Sequence, residues 1–144
     1  MIGESDYAFA GFLQRAKLEL QNVPTPAEKL KHLATLHLAT LGANRSLAIV
    51  FQTELRHSSK FLAEFSRHQL KEYFDLLRAV VREGQEQGAF RSDVSDKIFA
   101  NCFFGALDEM VTSWVLSEKE YPLAAVAEPV MDVILKGLQA PARS

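Results

Sequence analysis

Residues 94–117 read VSDKIFANCFFGALDEMVTSWVLS, and this stretch decides the fold. Its residues fall on three stripes at helical spacing. One carries Ile98, Cys102, Gly105 and Glu109; a second carries Phe99, Phe103, Ala106, Met110 and Trp114; a third carries Phe104, Asp108, Val111 and Val115. A helix that is apolar on most of its faces is buried on most of them. The spacing therefore predicts one long helix, packed against its own chain and against a second copy. Gly105 costs a helix interior about 1 kcal/mol relative to Ala. It marks a place of close approach by a helix or a ligand, with the carboxylates of Asp108 and Glu109 beside it.

Working outward, the same periodicity predicts five more helices. The first spans residues 7–21, with Phe9, Phe12, Leu13, Ala16 and Leu20 on one side, and ends at Asn22-Val23-Pro24. The second opens at Thr25-Pro26-Ala27-Glu28, where Thr25 suits the N-cap, Pro26 the first helical position and Glu28 a capping box. It continues through Leu30, Leu33, Leu36, His37 and Thr40. Asn44 caps a third helix to about Arg56; Leu47 to Phe51 are apolar all round, which predicts a central position. Glu54 shares the stripe of Leu47 and Phe51 and needs a partner there. A fourth helix covers residues 60–87 and stops at Gly88. Beyond Tyr121-Pro122 a sixth covers residues 123–138, with Pro129 set to kink it or split off its first turns. Six helices with short connections make an all-α six-helix bundle in a single domain, residues 1–144.

The bulk properties exclude several roles. A chain of 144 residues with net charge −2 has no whole-chain attraction to nucleic acid or anionic membrane. One cysteine, Cys102, rules out an intrachain disulfide and fits a reducing compartment. No signal peptide and no apolar run of membrane-spanning length is read, so the chain is expected to be cytoplasmic. Catalysis has no support: Cys102 sits among phenylalanines, where a thiol is inert, and there is no phosphate loop or nucleophile elbow. Metal binding has little support. His32 and His37 are five residues apart, and the pairs Glu28/His32 and Glu64/His68 are spaced as on many solvated helices. Neither a metal nor a cofactor is expected.

Two patterns remain open to a ligand. Residues 25–60 are rich in Lys, Arg and His, while residues 92–135 are acidic. These are either ordinary solvated faces, or Arg45, Arg56, His57 and Lys60 ring one mouth of the bundle and meet an anion. The aromatics are either core or the wall of a pocket, with Gln52, Glu54, Gln69, Asn101 and Asp108 as its few polar groups.

The stretches TPAEKLKHLATLHLATLGANRSLAIVFQTELR (25–56) and FGALDEMVTSWVLSE (104–118) resemble the C-terminal effector domain of TetR-family transcriptional regulators. The resemblance spans residues 8–139. GALDEMVTSWV is similar to the penultimate, dimer-forming helix of that family, and residues 123–138 to the last. LAIVFQTELRHS and DEMVTSWVLSEKEYPL are most similar to the FadR-like repressors of fatty-acid degradation, which release DNA when a long-chain acyl-CoA binds. The family's helix-turn-helix module has no counterpart in these residues, so operator DNA is expected to be bound only through that separate module, and this chain to have no specific DNA affinity.

The resemblance implies a homodimer with contacts at Gly105, Val111, Val115, Val126, Val130, Val133, Ile134 and Gly137. Helices two to five are expected to enclose an apolar tunnel for the hydrophobic effector that the resemblance implies, such as a long-chain acyl-CoA, lined by Phe51, Leu55, Phe65, Tyr73, Leu77, Phe103 and Trp114. The head group would meet Arg45, Arg56, His57 and Lys60, with Arg56 alternatively pairing with Glu54 or Asp108. A different hydrophobic effector, or a dimeric interaction module without a ligand, stays open beside it.

Overall fold

Three of the helices start where a side chain takes over an otherwise unpaired amide. In the computed structural model the described residues are 4–56, 60–138 and 140, with side chains described outside 4–6, 54–56 and 60–66. They form α1 (Glu4–Leu20), α2 (Pro26–Gly42), α3 (Arg45–Arg56), α4 (Lys60–Glu86), α5 (Asp96–Leu116), a 3-10 turn (Leu123–Val126) and α6 (Ala127–Leu138). Thr25 Oγ1 accepts from the Glu28 amide, Asn44 Oδ1 from Leu47 and Ser95 Oγ from Ile98. Gly88, at φ +76°, lets the chain leave α4 in the left-handed conformation that other residues avoid. Pro129 lies in the first turn of α6, where its missing amide costs nothing, and the 3-10 turn is set off ahead of it. The fold is all-α, with no extended strand among the described residues. None of their helices is long and apolar enough to cross a membrane.

The bundle is centred on α2, which packs against α1, α3, α4, α5, α6 and the 3-10 turn. Leu30, Leu33, Ala34 and Leu38 are completely buried. Burying a leucine contributes about 1.5–3 kcal/mol relative to leaving it exposed, so this helix anchors the core. The expectation that α3 is central is corrected: it lies at the edge. Ala48, Phe51 and Gln52 face inward, while Ile49 and Val50 are 43% and 42% exposed. An apolar run only one turn long cannot say which of its sides is covered.

Within the chain α5 buries one broad face, formed by Phe99, Ala100, Phe103, Leu107, Val111 and Trp114. Arg78 and Arg82 of α4 reach Asp96 in its first turn, at 3.1 and 2.6 Å, and hold that carboxyl below its usual range. The opposite stripe is bare. Ile98 is 57% exposed, and Asn101, Cys102, Gly105 and Glu109 are exposed too. The burial expected for Cys102 is therefore corrected: the phenylalanines point the other way. Among the described residues nothing lies within 4 Å of a side chain added at Gly105, so the close approach expected there is not made by them.

Candidate functional site

Between α1, α2, α3 and α4 lies a small cavity. Its walls are Ala8, Phe9 and Phe12 of α1, His37, Thr40 and Leu41 of α2, Leu47 and Phe51 of α3, and Tyr73 of α4. Each set sits at helical spacing of three or four residues, so each helix offers one stripe to the same space. Ala8, Phe9, Thr40 and Leu47 are half-buried and form a rim; Phe12, His37, Leu41, Phe51 and Tyr73 are buried and form the floor. The volume is about 30 Å³, room for a water molecule or two.

Aromatic rings hold these walls together. Phe9 stacks on Phe51 with centroids 5.5 Å apart, and Phe12 meets Tyr73 edge-on at 5.2 Å. Phe104 lies 5.9 Å from His37, 6.0 Å from Tyr73 and 5.1 Å from Phe74. Offset and edge-on pairs of this kind add about 0.5–1.5 kcal/mol beyond their buried area.

The polar groups are few. His37 Nδ1 and Tyr73 Oη are hydrogen-bonded at 2.8 Å. Burial pushes the His37 imidazole down to about 4, against an opposing pull from the Asp108 carboxylate. Burial likewise raises the Tyr73 phenol above its ordinary value. Both are therefore neutral at pH 7. Thr40 spends its hydroxyl proton on Leu36 O, 2.7 Å away. Gln52 clamps α3 to α5: its amide nitrogen donates to Asp108 O, Asp108 Oδ1 and Thr112 Oγ1 at 3.1, 2.8 and 2.8 Å. Asn101 faces outward, and Gln69 is buried one turn before Tyr73 with no partner for its Oε1 among the described residues.

Of the residues named from sequence as a lining, Phe51 and Tyr73 stand on this cavity. Leu77 and Phe103 are fully buried in the core and are not among its walls. Trp114 closes the far end of α5, where its indole N–H donates to Tyr121 O at 2.8 Å. The side chains of Leu55 and Phe65 lie outside the described residues. Among the basic residues, Arg45 donates to Val115 O and lies over the Trp114 ring, 5.5 Å from its centroid. The side chains of Arg56, Lys60 and Glu54, and all of His57, fall outside the described residues. The wall contributed by α1 is the part that sequence reasoning missed; α2 was expected to contribute, but none of its residues was named. The signal was present in Phe9 and Phe12, three apart, and in a histidine on an otherwise leucine-lined stripe.

The histidines of the metal-ligand spacings make ordinary contacts, and the Glu64 side chain lies outside the described residues. His32 Nε2 meets Glu19 of α1 at 2.7 Å instead of Glu28, and His68 lies 3.6 Å from Glu72. No group of three potential metal ligands occurs among the described residues.

The residues named for a subunit interface divide in two. Val111 is completely buried inside the chain and so belongs to the core, which removes it from any free face. Gly105 and Gly137 are exposed; Val115, Val126, Val130 and Ile134 are half-buried; Val133 is 74% exposed. Leu116, at 77%, extends this uncovered apolar surface.

Residues 7–137 match a protein-family model described as the YsiA-like protein, C-terminal region, of the TetR type. The fatty acid metabolism regulator protein of Bacillus subtilis (strain 168) is 30% identical over 127 residues, 88% of this chain and 66% of that protein. The chain thus spans just under two thirds of that relative's length. The fatty acid degradation regulator FadR of Bacillus halodurans superposes with a TM-score of 0.85 at 35% identity, covering 94% of this chain and 73% of the other. FadR of Bacillus subtilis in complex with stearoyl-CoA gives the same TM-score at 28% identity, covering 92% and 72%. A bundle of this order, matched over nearly its whole length, settles the kinship: the chain belongs to the TetR-family regulators, as a YsiA-like C-terminal region homologous to the FadR regulators of fatty acid metabolism in Bacillus.

Proposed function

We propose that this chain is the ligand-sensing and dimerisation region of a TetR-type repressor that releases operator DNA when a long-chain acyl-CoA enters its interior. The observation that carries the reading is the aromatic-walled cavity shared by α1, α2, α3 and α4. Each methylene buried against such walls contributes about 0.8 kcal/mol, so they favour long chains over short ones. The stearoyl-CoA held by the Bacillus subtilis relative supports the same ligand class. Homologues of this chain are transcriptional regulators and not enzymes. DNA contact is assigned to a separate helix-turn-helix module of the parent protein, and the setting to the cytoplasm.

The cavity of about 30 Å³ is a closed form, since pockets that enclose drug-sized ligands measure roughly 300–1,000 Å³. An acyl chain enters by parting Phe9 from Phe51, the stack that joins α1 to α3. Leu55, Phe65, Leu77, Phe103 and Trp114 are assigned to the deeper course of the widened tunnel. Arg45, Arg56, His57 and Lys60 are assigned to the phosphates; Arg45 exchanges its hold on Val115 and Trp114 for them. A second copy covers Val115, Val126, Val130, Val133, Ile134 and the two exposed glycines, joining α5 and α6 of each subunit in a four-helix interface.

The small cavity also favours a second reading, a dimeric interaction module that takes no ligand. Native mass spectrometry of the purified protein separates the two. The sensor reading expects a co-purified or added long-chain acyl-CoA to appear as a mass increment per subunit. Bare subunits alone, after incubation with stearoyl-CoA, would favour the module.

A further inference from the structure

The His37–Tyr73 pair contains more hydrogens than its own bond can use. A neutral imidazole and a phenol carry two between them, one N–H and one O–H. The single 2.8 Å contact consumes one. If Tyr73 donates to Nδ1, the imidazole N–H sits on Nε2 and is left over; if Nδ1 donates to Tyr73, the phenol O–H is left over. In either tautomer one donor has no acceptor among the described residues. Both side chains are at least 96% buried and both line the cavity. Thr40, the other polar wall, directs its proton to its own helix. The spare hydrogen belongs to a pair lining a cavity with room for a water molecule or two, and once a ligand displaces that water the donor costs about 1–3 kcal/mol unless the ligand supplies an acceptor.

The surroundings also select the kind of acceptor. Among the described residues the remaining walls, Ala8, Phe9, Phe12, Leu41, Leu47 and Phe51, carry no charge. Among the described residues, the Asp108 carboxylate is the charge that acts on His37. A carboxylate placed here would be stripped of water opposite a neutral pair. An uncharged oxygen pays much less. In an acyl-CoA, the thioester carbonyl is the uncharged oxygen that directly adjoins the hydrocarbon; the two amide carbonyls and the hydroxyl of the pantetheine arm lie farther toward the solvated nucleotide.

We infer that the His37–Tyr73 pair recognises the carbonyl oxygen of the ligand's thioester and thereby discriminates an acyl-CoA from both an alkyl thioether and a free fatty acid. The inference rests on the acyl-CoA reading above and adds the polar group that fixes where the chain begins. The carbonyl replaces the missing acceptor, and the hydrocarbon runs past the pair toward Phe104 and Phe74, whose rings lie just beyond it. Removing either partner alone still leaves one hydrogen to donate, so both must go to abolish the contact.

Titration of the full chain with stearoyl-CoA, with S-octadecyl-CoA (the thioether without a carbonyl) and with octadecanoate tests this. One neutral hydrogen bond separates the first two, so the thioether should bind about fivefold to tenfold more weakly. In the double variant His37→Leu, Tyr73→Phe the difference should shrink to about twofold or less. The ¹⁵N signals of the His37 imidazole in the unmodified protein give a readout that does not depend on the variant folding. They should move on adding stearoyl-CoA and stay in place with the thioether. Equal affinity for stearoyl-CoA and thioether, with unmoved imidazole signals, overturns the carbonyl assignment while leaving the sensor reading standing. Binding of none of the three overturns both.

Discussion

His37 is a titratable group that the fold keeps uncharged. Its imidazole falls from 6.5 in the open chain to about 4 when buried. Between those two values the unfolded chain holds a proton that the folded one refuses, so stability rises with pH across that window and is lost as pH falls through it. At pH 5 the loss relative to pH 7 is about 2 kcal/mol. Melting temperatures should therefore drop by several degrees between pH 7 and pH 5, and His37→Gln should flatten that dependence. An unchanged slope in the variant would assign the acid sensitivity elsewhere. Gly84 makes a different demand. A methyl group there would run into the buried Phe90 ring, which packs beneath the end of α4. Gly84→Ala gains helix propensity yet loses this fit, and should destabilise by roughly 1–2 kcal/mol in a denaturant melt. At this scale the sequence was informative wherever chemistry is local. Thr25, Asn44 and Gly88 act in the structure as their residue types suggest, because a cap needs only its own turn. The partner of His37 was not legible, since Tyr73 is thirty-six positions away.

At the scale of elements, the six helices follow the apolar periodicity closely, because each must hide one stripe. What the periodicity cannot say is which neighbour hides it. α3 reads as central and lies at the edge, while α2 touches every other element. The α5 stretch is apolar on more faces than its own bundle covers, and the remainder is the stripe of Ile98, Cys102 and Gly105. A two-fold axis near this stripe would bring like residues together. We expect a dimer by sedimentation at micromolar concentration, and Val133→Asp, exposed in the single chain, to weaken it without lowering the subunit's helicity. A monomer in the unmodified protein, or an undisturbed dimer in the variant, would remove α5 and α6 as the interface.

For the molecule as a whole, the fold and kinship were readable in residues 25–56 and 104–118, while the cavity was only half readable. Of the residues expected to line a tunnel, Phe51 and Tyr73 stand on this cavity, while Leu77, Phe103 and Trp114 lie buried away from its present walls. Its position depends on the first half of α1 meeting the second half of α2, a packing relation that no single stretch encodes. The whole account turns on whether this nearly filled interior opens for an acyl chain. Calorimetric titration with stearoyl-CoA tests that most directly. The account predicts saturable binding of one acyl-CoA per subunit, weakening as the chain is shortened. No binding of stearoyl-CoA at up to roughly millimolar concentration, equivalent to about −4 kcal/mol, would contradict it.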